Sequence, residues 1–384
     1  MGKPEILTDV RAMGGNNLRC KGWKQEGILR MLENNMENAE HPEELVIYGG
    51  IGKAARNWES YHAIVNTLQE LENDETLVVQ SGMPVAVFRT SRLAPRVVMA
   101  TTNIMKATWP IFYDLQDKNL TMYAQYTAAP WEYIGTQGVI QGTFQTLVAI
   151  RDQEFGGDMK GRILLTAGMG GMGGNQPRAM TMLGGVCICA DVDEEVVKNR
   201  LKVGYCDEIV YDFDEAVAKA RKAAAEGRPL GIALFGNAVD VLRKARESGF
   251  KPDIITDMTP AHDPLSYVPA GLSVDEAREL RRTDRDRYFG LAGKSMIEQL
   301  KIMNDFYDDG VQVFEYGNSL RKEARDAGLA VDDAMKIPGF VAAYIRPLFC
   351  EGRGPFRWIC LSRDPEDLAG STMSSRRCSP MTTW

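Results

Sequence analysis

A glycine-rich segment near the middle of the chain constrains the fold more than any other feature. A short apolar run, residues 162–167, leads into Gly168-x-Gly170-x-x-Gly173, and Asp191 follows 23 residues after the first glycine. This spacing is typical of the turn between a strand and a helix that holds a dinucleotide. Its glycines let the backbone approach a pyrophosphate, and the acidic side chain reaches the ribose hydroxyls. The alternative is a glycine-rich turn that binds no ligand.

Apolar runs recur on both sides of this segment with the spacing of a parallel sheet. Strands are predicted at 162–167, 185–191, 208–211, 230–235 and 253–257, separated by segments of helical length. Such an alternation indicates a doubly wound parallel sheet, whose ligands lie at the carboxyl ends of its strands. Polar and glycine-rich segments follow four of these strands: Gly168–Gly174, Asp191, Gly236–Ala238 and Asp257–His262.

The first hundred residues also alternate between helical and strand patterns. Helices are predicted at 24–40 and 54–72, and strands at 45–48, 76–80, 85–88 and 96–100. The whole chain is therefore expected to be an α/β protein.

Composition and charge favour an intracellular globular protein. Of 384 residues, 44% are hydrophobic and 25% charged, and the net charge of −7 argues against a nucleic-acid surface. No apolar run reaches the length of a membrane span, and the first residues do not resemble a signal peptide, so we expect a cytoplasmic location. Cys187 and Cys189 lie in one apolar strand and are expected to be reduced core thiols.

Metal and nucleophile motifs give little support to other classes of enzyme. The sequence has no zinc-binding HExxH pattern, no GxSxG elbow and no Walker loop, so no metal is expected. His262 follows a predicted strand end and is a candidate for lining a ligand site. The alternative is a histidine that contacts no ligand. Arg346, Arg353 and Arg357 lie among aromatic residues, where they could bind a carboxylate or simply stack on a surface loop.

Several blocks of the sequence closely resemble the urocanase (urocanate hydratase) family, from about residue 10 to 368. These blocks are Tyr48–Trp58, Gln80–Gly82, Trp131–Gly138, Leu165–Gly174, Gly236–Ala238, Asp257–Pro264, Tyr316–Asn318 and Pro338–Cys350. The resemblance implies a Rossmann-like, doubly wound parallel sheet domain set within a larger urocanase-type α/β unit. It also implies an N-terminal domain at 1–137, the Rossmann-like domain at 138–348, the start of a C-terminal domain at 349–368, and a homodimer.

The resemblance implies an unusual lyase reaction. Urocanases use tightly bound NAD+ as an electrophile and convert urocanate to imidazolonepropionate, a step of histidine degradation. By the family pattern, Tyr48 and Arg357 hold the substrate, and Arg357 pairs with its carboxylate. The residues expected to contact NAD+ are Gly49, Gly50, Gln125, Gly171, Met172, Gly173, Asp191, Asn237, Ala238, Met258, Thr259, Pro260, Ala261, His262, Tyr267, Val268 and Tyr316.

This chain departs from the family pattern near the expected site. Tyr126, Ala129 and Pro130 replace smaller or more flexible residues, Asp191 replaces the usual glutamate, and Val196 stands where an arginine contact is usual. NAD+ binding is still expected despite these changes, but three other hypotheses about the function stay open. They are hydration of a thiolated or methylated urocanate, a non-catalytic NAD-binding remnant, and an ordinary NAD-dependent dehydrogenase.

The last residues do not follow the family. The resemblance stops near Leu368, whereas urocanases continue into a segment that carries a catalytic cysteine and an aspartate. Shifting the reading frame from Gly370 yields an acidic run close to the family's own, so residues 369–384 are expected to be a frameshifted, non-native tail. Cys350 and Cys360 lie upstream of the segment that carries the family's catalytic cysteine, so neither is expected to replace it. A truncated chain of this kind is therefore expected to turn over little or no urocanate.

Overall fold

The structure is a computed structural model that describes residues 9–100, 108–125, 127–351 and 359–378. The chain divides into two compact units, each built around its own strands. Unit 1 comprises residues 1–138 and 356–384, and unit 2 comprises residues 139–355.

Unit 1 combines helices with two small sheets. Its elements are α1 (Trp23–Glu37), β1 (Val46–Tyr48), β2 (Gly52–Lys53), α2 (Trp58–Glu70), β3 (Glu75–Gln80), β4 (Met83–Arg89), β5 (Val97–Ala100) and α3 (Trp109–Asp117). β1 and β2 are antiparallel, and the second sheet has the order β4-β3-β5. In that sheet β3 pairs antiparallel with β4 and parallel with β5.

Unit 2 follows the predicted alternation of strands and helices. Its elements are α4 (Thr136–Glu154), β6 (Ile163–Ala167), α5 (Gln176–Met182), β7 (Val186–Asp191), α6 (Glu194–Lys202), β8 (Glu208–Val210), α7 (Phe213–Glu226), β9 (Leu230–Phe235), α8 (Ala238–Glu247), β10 (Ile254–Ile255), α9 (Val274–Thr283), α10 (Arg285–Asp308), β11 (Gln312–Val313), α11 (Leu320–Asp326), α12 (Val331–Ala334) and α13 (Arg346–Cys350). The final helix, α14 (Pro365–Cys378), belongs to unit 1.

The parallel sheet predicted from the sequence is confirmed. Six strands pair in the order β11-β10-β6-β7-β9-β8, and every pairing is parallel. The chain moves from β6 to β7, β8 and β9 on one side and then returns to β10 on the other side of β6. The strand order therefore reverses between β6 and β10, and ligands of open α/β sheets bind at such a point.

Helices cover both faces of this sheet, which explains its near-continuous apolar strands. Leu165 and Ile188 lie in one hydrophobic cluster with residues of α7, α8 and α10. Leu164, Cys187 and Cys189 face the opposite way, in a cluster with residues of α4 and α5. Both thiols are free and fully buried, as predicted for Cys187 and Cys189, and burial raises their pKa well above the ordinary value.

Differences from the predicted elements lie mainly at boundaries. The helix predicted at 54–72 begins at Trp58, because the Asn57 side chain accepts a hydrogen bond from the backbone N–H of Ser60 and caps it. The strand predicted at 253–257 keeps only two paired residues. β2 and β11 were not predicted, since two-residue strands carry no periodicity. Within the described part of the chain, no helix is both long and apolar enough to cross a membrane.

Candidate functional site

The glycine loop after β6 folds tightly against the end of β10. Gly168 has a φ of +87°, and a Cβ there would overlap the carbonyl oxygen of Met258. A Cβ on Gly173 would overlap the carbonyl oxygen of Gly168. Only glycine fits both positions, so the loop presents bare backbone at the place where the strand order reverses.

Asp191, at the end of β7, is bonded to this loop. Its Oδ2 accepts a hydrogen bond from the backbone N–H of Met169 at 2.6 Å, and its Oδ1 accepts one from Asp193 at 2.9 Å. Burial raises the pKa of this carboxyl, although the backbone donors and Arg200 oppose that shift. The carboxylate therefore fixes the glycine loop to β7, and its contact with a ribose stays a prediction.

Arg200 is a residue near the loop that the sequence analysis missed. Its Nε donates to the carbonyl oxygen of Met169 at 2.8 Å, and its side chain lies against Gly174. Arg200 is four residues after Val196 on α6, so both occupy one face of that helix. A guanidinium thus reaches the glycine loop one helical turn away from the position where the family pattern has its arginine. The i, i+4 spacing of Val196 and Arg200 on a predicted helix could have indicated that Arg200 reaches the loop.

Asn237 joins the end of β9 to the loop before α9. Its Oδ1 accepts from the backbone N–H of Val239 at 2.9 Å and caps α8, while its Nδ2 donates to the carbonyl oxygen of Val268 at 3.0 Å. The N–H of Gly236 donates to the carbonyl oxygen of Asp191 at 2.9 Å. The ends of β7 and β9 are therefore linked directly. Ala238, the first residue of α8, is buried.

Asp257 anchors the loop that follows β10. Its Oδ2 accepts hydrogen bonds from the Thr259 hydroxyl at 2.6 Å and from the Nδ2 of Asn318, and the same Nδ2 donates to the carbonyl oxygen of Thr259 at 2.9 Å. Asp257 is fully buried. Burial raises its pKa to about 6, against the opposing effect of its hydrogen-bond donors. The segment expected to contact NAD+ is thus held by a buried acid–amide pair.

The remaining expected contacts of unit 2 differ in exposure. Tyr267 is buried, and its hydroxyl donates to the Oε1 of Gln299 at 2.7 Å. Tyr316 stacks on Phe340 with ring centroids 4.6 Å apart. Ala261 is also buried, whereas the following residues are half-buried: Gly171, Met172, Thr259, Pro260, His262 and Val268.

Four expected contacts lie among the described residues of unit 1. The Tyr48 hydroxyl is buried and accepts a hydrogen bond from the backbone N–H of Thr127 at 2.9 Å. Gly49 and Gly50 both have positive φ, as their turn after β1 requires. The Oε1 of Gln125 is buried and has no hydrogen-bond partner in the described part of the chain. A buried amide oxygen without a donor is costly, so this atom suits a donor from a ligand.

Three residues named from the sequence, Tyr126, Arg353 and Arg357, lie outside the described residues. Ala129 and Pro130 form the turn that follows Gln125, and Ala129 is buried. Arg346 is exposed at the start of α13. No group of His, Cys, Asp and Glu side chains in the described ranges could hold a metal ion.

In unit 2 the site brings together the ends of four strands that are distant in the sequence. The N–H of Met258 donates to the carbonyl oxygen of Ala167 at 2.9 Å, so β10 and β6 end side by side. Asn175, which follows the glycines, has a buried Oδ1 with no partner among the described residues. A glycine backbone without side chains and the unpaired amide oxygen of Asn175 suit a ligand that carries phosphate and hydroxyl or amide groups.

Comparison with protein families gives three matches along the chain. A model of the urocanase Rossmann-like domain matches residues 135–344, which is more than half of the chain. Models of the urocanase N-terminal and C-terminal domains match residues 10–132 and 347–379. The third match continues past residue 368, and the origin of residues 369–384 stays a prediction.

Proposed function

The chain belongs to the urocanase family, and we propose that it binds NAD+ and hydrates urocanate to imidazolonepropionate. Members of this family are hydro-lyases, which supports a lyase reaction on a small molecule. The observation that carries the proposal is the close approach of the glycine loop to Met258 at the point where the strand order reverses.

The residues of this chain fit the cofactor in two respects. The loop at Gly168 and Gly173 leaves no room for a side chain, so backbone N–H groups can face a pyrophosphate. The unpaired amide oxygen of Asn175, which follows the glycine loop, can accept a hydrogen bond from a hydroxyl or amide group of a dinucleotide. When bound, NAD+ supplies the electrophile for the reaction.

The roles of the protein residues follow from their positions. Asp191 and Arg200 hold the glycine loop from two sides, through the N–H and the carbonyl oxygen of Met169. Asp257 and Asn318 fix the loop after β10. We propose that this rigid frame orients the cofactor, because a bound geometry that needs no rearrangement costs less entropy.

The substrate is proposed to be bound by Tyr48 and Arg357. The Tyr48 hydroxyl is fixed by Thr127, so its oxygen has one defined direction. Ala129 and Pro130 shape the turn after Gln125, and their difference from the family pattern keeps a thiolated or methylated urocanate as the alternative substrate.

An absorbance assay tests the reaction. Purified protein is incubated with urocanate and NAD+, and both the urocanate band and the NADH band are followed. Loss of urocanate without NADH supports the hydratase, whereas accumulation of NADH would support the dehydrogenase hypothesis. The same assay with thiolated and methylated urocanates identifies the preferred imidazole.

Binding and turnover are tested separately, so that failure of the proposed cofactor can be told apart from failure of the proposed reaction. We expect the protein to bind NAD+ in isothermal titration calorimetry whether or not it turns over urocanate. Absence of NAD+ binding would contradict the proposed cofactor. The cytoplasmic location and the homodimer stay predictions, and light scattering tests the dimer.

A further inference from the structure

A cavity of about 160 Å³ lies in unit 1, and its described lining includes none of the residues expected to contact NAD+ or urocanate. The turn between β3 and β4 forms one wall, and residues in and just after α3 form another. Arg56 lines it and is its sole charged residue in the part of the chain that the structure describes.

Arg56 holds its guanidinium in place through backbone carbonyl groups. Its Nε donates to the carbonyl oxygen of Ser81 at 3.0 Å, and its Nη2 donates to that of Gln80 at 3.3 Å. Its Nη1 has one weak contact, with the Sδ of Met83 at 3.7 Å. The guanidinium therefore keeps N–H groups that these three contacts do not use.

The charge of Arg56 is not balanced by an acidic side chain. Among the described residues no carboxylate forms an ion pair with it, whereas Arg89 on the neighbouring strand pairs with Asp74 at 3.0 Å. Burial lowers the pKa of Arg56, and no acid opposes that shift. A partly buried cation without a counter-ion attracts an anion.

The rest of the cavity is amphipathic. Ser81 and Thr121 contribute hydroxyl groups 3.4 Å apart, and both residues are buried. Val85, Leu115 and Leu120 line the cavity with apolar side chains. The backbone N–H of Arg56 donates to the carbonyl oxygen of Gly82 at 3.0 Å, so the arginine and the turn form one fixed unit.

We propose that this cavity binds a small organic carboxylate, with its carboxylate group on Arg56 and the two hydroxyls and a short apolar tail against Val85, Leu115 and Leu120. The guanidinium suits a carboxylate because it can donate two N–H groups to two oxygens. The apolar wall favours an organic acid over an inorganic oxyanion, since it offers such an ion no hydrogen bond. None of these residues is an expected NAD+ or substrate contact, so the inference is independent of the proposed function.

Ligand-observed NMR on the full chain tests the proposal with butyrate as the probe. Butyramide has the same shape without the charge, and inorganic phosphate has charge without the tail. We expect butyrate to bind with a dissociation constant at least tenfold lower than that of either control, which corresponds to about 1.4 kcal/mol. Equal binding of butyrate and butyramide, equal binding of butyrate and phosphate, or no binding of butyrate would overturn the proposal.

Three variants locate the binding. Arg56→Gln should weaken butyrate binding at least tenfold, because it removes a charged donor. Leu120→Trp fills the cavity from a half-exposed position and leaves the Arg56 contacts in place, so it keeps the test valid if Arg56→Gln fails to fold. Arg89→Gln, on β4 of the sheet whose turn binds Arg56, is the matched control and should bind butyrate like the unchanged protein. Unchanged binding by Leu120→Trp, or by a folded Arg56→Gln, would place the butyrate elsewhere and refute the site.

Discussion

The six-stranded sheet of unit 2 and the three-stranded sheet of unit 1 differ in how much of their strands is buried. In unit 2 the central strands β6, β7 and β9 are buried along almost their whole length, because helices cover both faces. In unit 1 the strand β4 is largely exposed, and Val87 and Phe88 keep about half of their surface accessible. The six-stranded sheet holds its candidate site residues at strand ends, whereas the three-stranded sheet has a cavity beside the turn between β3 and β4.

The two candidate sites depend on different interactions. The strand-end site of unit 2 depends on contacts between segments far apart in the sequence, such as Gly168 with Met258. The unit 1 cavity depends on a turn whose carbonyl groups bind Arg56. Changes in unit 2 should therefore alter stability and cofactor binding together, whereas changes on the exposed sheet of unit 1 should have small effects on stability.

The largest effect is expected from Gly173→Ala. The new Cβ would overlap the carbonyl oxygen of Gly168, so the glycine loop must move. We expect the free energy of unfolding to fall by about 4 kcal/mol and NAD+ binding to be lost. Urea denaturation and calorimetric titration with NAD+ measure the two effects.

Gly290→Ala is the matched control for this change. Gly290 lies within α10, where a Cβ meets no atom within 4 Å. Alanine favours the helix there and should raise the free energy of unfolding by about 0.5–1 kcal/mol. If both variants bound NAD+ like the unchanged protein, the glycine loop would not be the cofactor site.

The next largest effect concerns the pH dependence that Asp257 imposes on stability. Its pKa rises from 3.8 in a solvated chain to about 6 in the folded protein, so folding favours the protonated carboxyl. The contribution of this group to stability is therefore greatest below pH 3.8 and is lost as the pH rises from there to about 6. The shift corresponds to roughly 3 kcal/mol.

Asp257→Asn should remove this pH dependence, because an amide does not titrate. Urea denaturation between pH 4 and pH 7 compares the variant with the unchanged protein. Asn318→Ala is the control, since it keeps the carboxyl and removes one donor to it. That variant should retain the pH dependence. If the Asp257→Asn variant kept the pH dependence, another titrating group would be responsible for it.

Part of this molecule could be predicted from its sequence. Five of the six strands of the Rossmann-like sheet were found because buried parallel strands appear as continuous apolar runs. Their polar ends were found because Gly168 and Asp191 have a spacing with a known physical meaning. The strand order and the two-residue β11 were not predicted, because neither depends on a local pattern.

Individual side-chain contacts were harder to predict than the fold. Arg200 was missed because its contact depends on how α6 is oriented against the glycine loop. Arg56 was missed because its partners are backbone carbonyl groups, which any sequence can supply. Asp257 was seen as the start of a family block, but its pairing with Asn318 joins segments 61 residues apart.

A smaller effect is expected from Arg200→Gln. The change removes a charged donor to the carbonyl oxygen of Met169 but leaves the bond from Met169 to Asp191. We expect NAD+ binding to weaken about five- to tenfold, with a loss of about 1 kcal/mol in the free energy of unfolding. Lys198→Gln is the control on the same helix, because Lys198 pairs with exposed Glu195. Equal NAD+ affinities of the two variants would show that Arg200 does not support the loop.

The smallest effect is expected on the exposed sheet of unit 1, from Val98→Thr. Val98 pairs with Val78 in the parallel part of that sheet and keeps 46% of its surface accessible. Threonine is also β-branched, so the strand is preserved, and surface changes of this kind stay within about 0.5 kcal/mol. Leu77→Thr is the matched contrast, because Leu77 is fully buried. Its substitution should lower the free energy of unfolding by about 2–4 kcal/mol. Urea denaturation of both variants measures the difference. A loss above 1 kcal/mol for Val98→Thr would mean that this face is packed in solution, and the contrast between the two sheets would then fail.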